Sequence, residues 1–146
     1  MFESGEMNEG SGRWMRRRGF LLASGAAVQK YMDKLAQNEE IVAALANIVI
    51  EIYAMESSLL RAQKANAGEA RNRMGDAARA YIYDALDRVE KDARTALAAT
   101  VDGDTLTTQL AVLRRFTKHA AVDTIALRRG IAQAVFAQNR YPFDGR

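Results

Sequence analysis

Cysteine is absent from the 146 residues, and with it go disulfides, cysteine-ligated zinc, iron–sulfur clusters and thiol catalysis. That absence fits a cytoplasmic protein, which is the expectation for its location. Histidine occurs once, at His119. A ferritin-like di-metal site needs Glu-x-x-His pairs on two helices, so that chemistry fails on inventory. Proline also occurs once, at Pro142, which leaves the interior almost free of helix breakers. Charge of one sign is not in excess. The 21 basic and 18 acidic residues are interspersed, the net charge is +3, and only Arg13, Arg16, Arg17 and Arg18 cluster. A nucleic-acid binder concentrates positive charge on one face, so no nucleic-acid partner is expected. No uninterrupted apolar run approaches the roughly 18 residues that span a bilayer, and the chain reads as soluble or at most peripheral. Glycine-rich phosphate loops are missing too, since Gly25-Ala26-Ala27 lacks both a preceding strand and a lysine.

What is present is helix-forming. With 49% hydrophobic and 27% charged residues, the composition is that of a globular domain. A chain of this length makes one domain and buries about 68% of its unfolded surface. Abundant alanine favours long helices over sheets. The strongest pattern is NEEIVAALANIVIEIYAMESSLLRAQK, from Asn38 to Lys64. Its Ile41, Leu45, Ile48, Ile52, Met55 and Leu59 recur at steps of four and three, one apolar stripe of an α-helix.

Around it the chain divides as follows. Residues 1–13 read as a disordered leader, rich in glycine, serine and glutamate. Residues 14–139 form the helical domain, and 140–146 a tail in which Pro142 stops helical continuation. A first helix is expected from Trp14 to Leu35, weakened by Gly19 and Gly25. Asn38 caps a second, with Glu39 and Glu40 facing its positive dipole end, which runs to about Asn66 and stops at Gly68. The third covers Glu69 to Val101 and buries Met74, Ala78, Tyr81, Ile82, Ala85, Leu86, Val89, Ala93 and Leu97. In Asp102-Gly103-Asp104 the glycine supplies a left-handed stop and Asp104 caps a short fourth helix carrying Leu106, Leu110, Leu113 and Phe116. Asp123 caps a fifth, with Ile125, Leu127, Ile131, Ala134, Val135 and Phe136. The result is an all-α, up-and-down bundle of four to five helices, with no internal repeat.

No catalytic, cofactor-binding or metal-binding residue is assigned. Glu51 and Glu56 lie in the most apolar helix, where buried carboxylates can act as bases. The structural reading is preferred, with Glu56 on the rim of the stripe paired to an arginine of a neighbouring helix. His119 reads as a solvated surface histidine. Tyr53, Tyr81 and Tyr83 read as core-edge aromatics whose hydroxyls reach water or a partner. The basic run Arg114 to His119 suits a helix C-terminus. Arg17-Arg18-Gly19-Phe20-Leu21 matches the core of a twin-arginine export signal, but the apolar period continues through Tyr31, Met32 and Leu35, as in a bundle helix. Trp14, Arg16, Arg17, Arg18 and Phe20 offer a weak peripheral membrane contact as a secondary property.

Four blocks carry a resemblance: GAAVQKYMDKL, NEEIVAALANIVIEIYAMESSLLRAQK, LRRFTKH and DTIALRRGIAQAVFAQNRYPF. In this order they resemble the C-terminal helical extension of acyl-CoA dehydrogenases, the very-long-chain type and its bacterial relatives, over about Gly25 to Phe143. The resemblance implies an all-α bundle packed against a catalytic region of helical and β domains. In full-length members that region binds FAD and acyl-CoA thioesters and removes the α and β hydrogens of the acyl chain. Its base lies near a Tyr-Glu-Gly-Thr-Asn-like motif, which this sequence lacks, so Glu56 does not match it and no cofactor is expected in this chain. The expected function is a non-catalytic accessory or assembly domain in fatty-acid β-oxidation, partnered by a dehydrogenase catalytic subunit or by a second copy of itself. A stand-alone homodimeric scaffold and a membrane-surface module are the other readings.

Overall fold

A computed structural model of the chain describes residues 9–65, 68–139 and 141–143, with side chains from Arg17 onward. Five α-helices and one 3-10 helix follow in order: α1 Glu9–Tyr31, a 3-10 helix Met32–Gln37, α2 Glu39–Lys64, α3 Glu69–Thr100, α4 Gly103–Thr117 and α5 Thr124–Gln138. Among the described residues there is no strand, and the protein is an all-α bundle.

Local boundaries depart from expectation at three places. Helix α1 starts at Glu9 rather than Trp14. Gly10, Ser11 and Gly12 are weak helix formers, yet extending an existing helix adds one hydrogen bond per residue without a new nucleus. The rest of the expected leader, residues 1–8, lies outside the described residues. The helix then stops at Tyr31, short of Leu35, because Met32 turns into the left-handed region at φ 44°. Lys30 Nζ and Tyr31 Oη both donate to the Ala99 carbonyl, at 2.8 and 3.1 Å, and so anchor the end of α1 to α3. Third, Asp102, not Asp104, is the N-cap of α4, in extended conformation at φ −137°. Gly103 is then the first helical residue at φ +53°, a conformation only glycine adopts without steric cost, and Asp104 adds negative charge to the first turn.

Asn38 joins the 3-10 helix to α2. Its carbonyl accepts from the N–H groups of Ile41 and Val42, while its side-chain amide donates to the Lys34 carbonyl at 2.9 Å. Asp123 caps α5 as expected: its Oδ1 accepts from the Ala126 N–H at 2.9 Å. Asn139 closes that helix in the left-handed region.

The chain forms two compact units, with α2 and α3 contributing to both. Unit 1 comprises residues up to Ile52 together with Arg88–Lys118. Its core is alanine-rich: Ala23, Ala26 and Ala27 of α1, Ile41, Ala44 and Ile48 of α2, Val89, Ala93, Ala96 and Leu97 of α3, and Leu113 of α4. Small residues let helices approach closely; α1 packs on α4, and a Cβ at Gly19 would lie 3.7 Å from Leu113 Cδ1. Thr100 and Thr117 are buried, and each hydroxyl returns to the carbonyl four residues earlier, so neither is left unsatisfied.

Unit 2 comprises Tyr53–Asp87 and the residues from His119 onward. Met55 and Ala62 of α2 and Ala78, Ala80, Ile82, Ala85 and Leu86 of α3 make its core. Helix α5 contributes no buried residue. It is tied to α3 by an ion pair between Arg128 and Asp84. The tail is held as well, since Arg73 Nε donates to the carbonyl of buried Pro142 at 3.1 Å. Residues 140 and 144–146 lie outside the described residues.

Candidate functional site

Each charged residue singled out in the sequence can now be placed. Glu51, for which the sequence offers no local charge partner, is held by an arginine of the neighbouring helix. Arg88 of α3 donates through Nε to Oε1 at 2.6 Å and through Nη2 to Oε2 at 3.0 Å, a two-point clamp on a carboxylate whose side chain is largely buried. Glu56 is half-buried and also engaged. Glu51 is thus used in holding α2 to α3.

His119 is exposed, at the surface as expected, and makes local contacts there. Its Nδ1 lies 3.2 Å from the Ala120 carbonyl and its Nε2 3.8 Å from Asp87 Oδ1. The Tyr83 ring meets it edge to face at 5.1 Å. These contacts fix the segment leading into α5 against α3, and no nucleophile is among them. Tyr81 is half-buried, close to its expected edge position, whereas Tyr53 is 74% exposed, well beyond a core edge.

In unit 1, the Thr117 hydroxyl shares its one proton between the Leu113 carbonyl at 3.1 Å and Glu90 Oε2 at 2.8 Å, and Glu90 also holds Arg94 one turn on. The pairing fastens the end of α4 to α3. Of the five residues expected at a membrane surface, Trp14 and Arg16 have side chains outside the described set. Arg17 and Arg18 are exposed, and Phe20 is half-buried.

Helix α2 corrects one expectation. Counting uninterrupted apolar residues missed that it contains an 18-residue window of mean hydropathy 1.4, long and apolar enough to cross a membrane. Asn47 and Glu51 break the run without lowering the average far. Only 28% of that window is buried, so much of the apolar surface faces outward. Val42, Val49, Ile50, Tyr53 and Leu60 are all exposed. The sequence reading found the stripe led by Ile41, Ile48 and Met55, which is fully or nearly buried; Leu45, Ile52 and Leu59 sit half-buried at its margin. It overlooked the second stripe on the opposite side, although the same three-and-four spacing would have disclosed it.

One groove lies within unit 2, about 420 Å³, lined by Ser57, Leu60, Arg61, Lys64, Ala65 and Met74. Among the described residues no group of three or more histidines and carboxylates could hold a metal ion.

The model of the family described as "Acyl-CoA dehydrogenase, C-terminal domain" matches residues 15–115. This chain belongs to that family. The acyl-CoA dehydrogenase C-terminal domain is 32% identical over 124 residues to a probable acyl-CoA dehydrogenase of Bacillus subtilis, a match covering 83% of this chain and 21% of that protein. It also resembles the crystal structure of an acyl-CoA dehydrogenase complexed with FAD from Bacillus anthracis. There the TM-score is 0.85 at 30% identity, over 90% of this chain and 23% of the other. The domain therefore spans about a fifth of the length of these relatives. Its own groove does not fit a flavin. The hollow is open, its apolar lining is Leu60 and Met74 with one alanine, and its polar lining is one hydroxyl and two exposed cations. A bound flavin wants an enclosed apolar slot with a few fixed hydrogen-bonding groups.

Proposed function

We propose that this chain is a non-catalytic accessory and assembly domain of an acyl-CoA dehydrogenase of fatty-acid β-oxidation. The observation carrying this reading is the mismatch of coverage: nearly the whole domain aligns with the dehydrogenases, yet it accounts for only 21% and 23% of their lengths. The polar groups singled out as possible catalysts support it further. Glu51 is spent on Arg88, and His119 on Tyr83, Asp87 and the Ala120 carbonyl. The domain thus supplies packing surface to a catalytic region, where the flavin and acyl-CoA bind. Helix α5 supports such docking, since Ile125 is 61% exposed and Phe136, three turns on along the same face, is 84% exposed.

The test uses the Bacillus subtilis relative shortened by its matching fifth. Mixed with this chain, the shortened protein is expected to co-elute with it and to melt several degrees higher. Separate elution with an unchanged melting temperature contradicts the reading.

A further inference from the structure

The groove of unit 2 has a polar wall that nothing else in the unit engages. Ser57, Arg61 and Lys64 follow at steps of four and three along α2, so they share one face over two turns. Among the described residues none of the three has a hydrogen-bond or ion-pair partner. Arg73 and Arg128 of the same unit are committed, the first to Glu69 and the Pro142 carbonyl, the second to Asp84 and Thr124.

Two cations one turn apart repel unless an anion lies between them. The negative end of the α2 dipole accounts for cations in this last turn. It does not account for the uncommitted hydroxyl a turn earlier, nor for the apolar surface beside all three. Leu60, Ala65 and half-buried Met74 complete a hollow of about 420 Å³, and no carboxylate is among its lining residues.

These donors select the ligand. A guanidinium offers a planar fork that holds two oxygens of one anion; an ammonium adds a second charge and the hydroxyl a further donor. Together they match a phosphate monoester, which presents three acceptor oxygens and nearly two negative charges at neutral pH. A carboxylate brings two oxygens and one charge. The hollow is of small-molecule size, and Leu60 with Met74 suits a carbon chain on the ester oxygen.

We infer that the groove at the end of α2 binds a small phosphate monoester with an apolar body, held by Arg61, Lys64 and Ser57. The site goes beyond the accessory role and does not depend on it, since no dehydrogenase region takes part.

Titration of the isotope-labelled full chain with hexyl phosphate, followed by amide chemical shifts, tests it. Shifts should gather at residues 57–65 and around Met74 and saturate at about millimolar concentration, the strength open to so small a ligand. Inorganic phosphate, without the chain, and hexanoate, without the second charge, should each bind at least about fivefold more weakly. Arg61→Ala and Lys64→Ala should each weaken hexyl phosphate at least about tenfold. Arg61→Lys keeps the charge but loses the fork, and should recover only part of the affinity. Arg79→Ala and Arg129→Ala remove exposed cations that do not line the groove, and should change nothing. Circular dichroism should be the same for every variant, because the substituted side chains are exposed. Shifts scattered over all exposed cations, hexanoate binding as tightly, or an affinity indifferent to Arg61 and Lys64 overturns the inference. So does capture by phosphatidic acid vesicles with no response to soluble hexyl phosphate, for the anion is then read only at a lipid surface.

Discussion

Ile48 and Val49 are neighbours in sequence and opposites in environment. Ile48 is wholly buried and Val49 is 47% exposed. Truncating Ile48 to alanine removes apolar contacts and leaves a cavity, so urea denaturation should show a loss of about 2–5 kcal/mol. Val49→Ala should stay within about 0.5 kcal/mol. Equal losses at both would mean that the buried stripe has been misplaced by one residue. Asp123 offers a second comparison, since its carboxylate satisfies the Ala126 N–H. Asp123→Ala should cost about 1 kcal/mol, and Asp123→Asn much less, because asparagine keeps an acceptor at the cap. Gly103 offers a third: at φ +53° with open space around it, alanine meets backbone strain and nothing else, about 1 kcal/mol.

Helices differ in what holds them. The residues of α3 from Ile82 to Leu97 include four buried apolar side chains besides alanine partners, whereas α5 has none buried. Hydrogen exchange should therefore open α5 first and protect the α3 amides longest. Simultaneous exchange would mean that α5 is packed far more tightly than its exposure allows. The same contrast explains what could be read in advance. Helix α3 was legible almost to the residue, because its apolar period is strong and glycine flanks both ends. The cap at Asp123 was legible because capping is local chemistry. The break at Met32 was not, since what fixes the end of α1 is the Ala99 carbonyl, 69 positions from Lys30. The clamp on Glu51 was missed for the same reason: Arg88 is 37 positions away, and only tertiary structure brings it there. On α2 the period was visible on both faces, but a pattern cannot say which of two apolar faces the rest of the chain covers.

At the scale of the molecule, an all-α domain with alanine-lined cores displays apolar side chains that its own helices do not cover. Membership in the acyl-CoA dehydrogenase C-terminal family, over about a fifth of the relatives' length, gives those side chains a context. The central claim is that this domain contributes surface and not turnover. Dye reduction by the purified chain, supplied with FAD and a series of acyl-CoA thioesters, tests it most directly. The account predicts a rate indistinguishable from that of dye, FAD and thioester without protein; a rate that scales with the amount of this chain would contradict it.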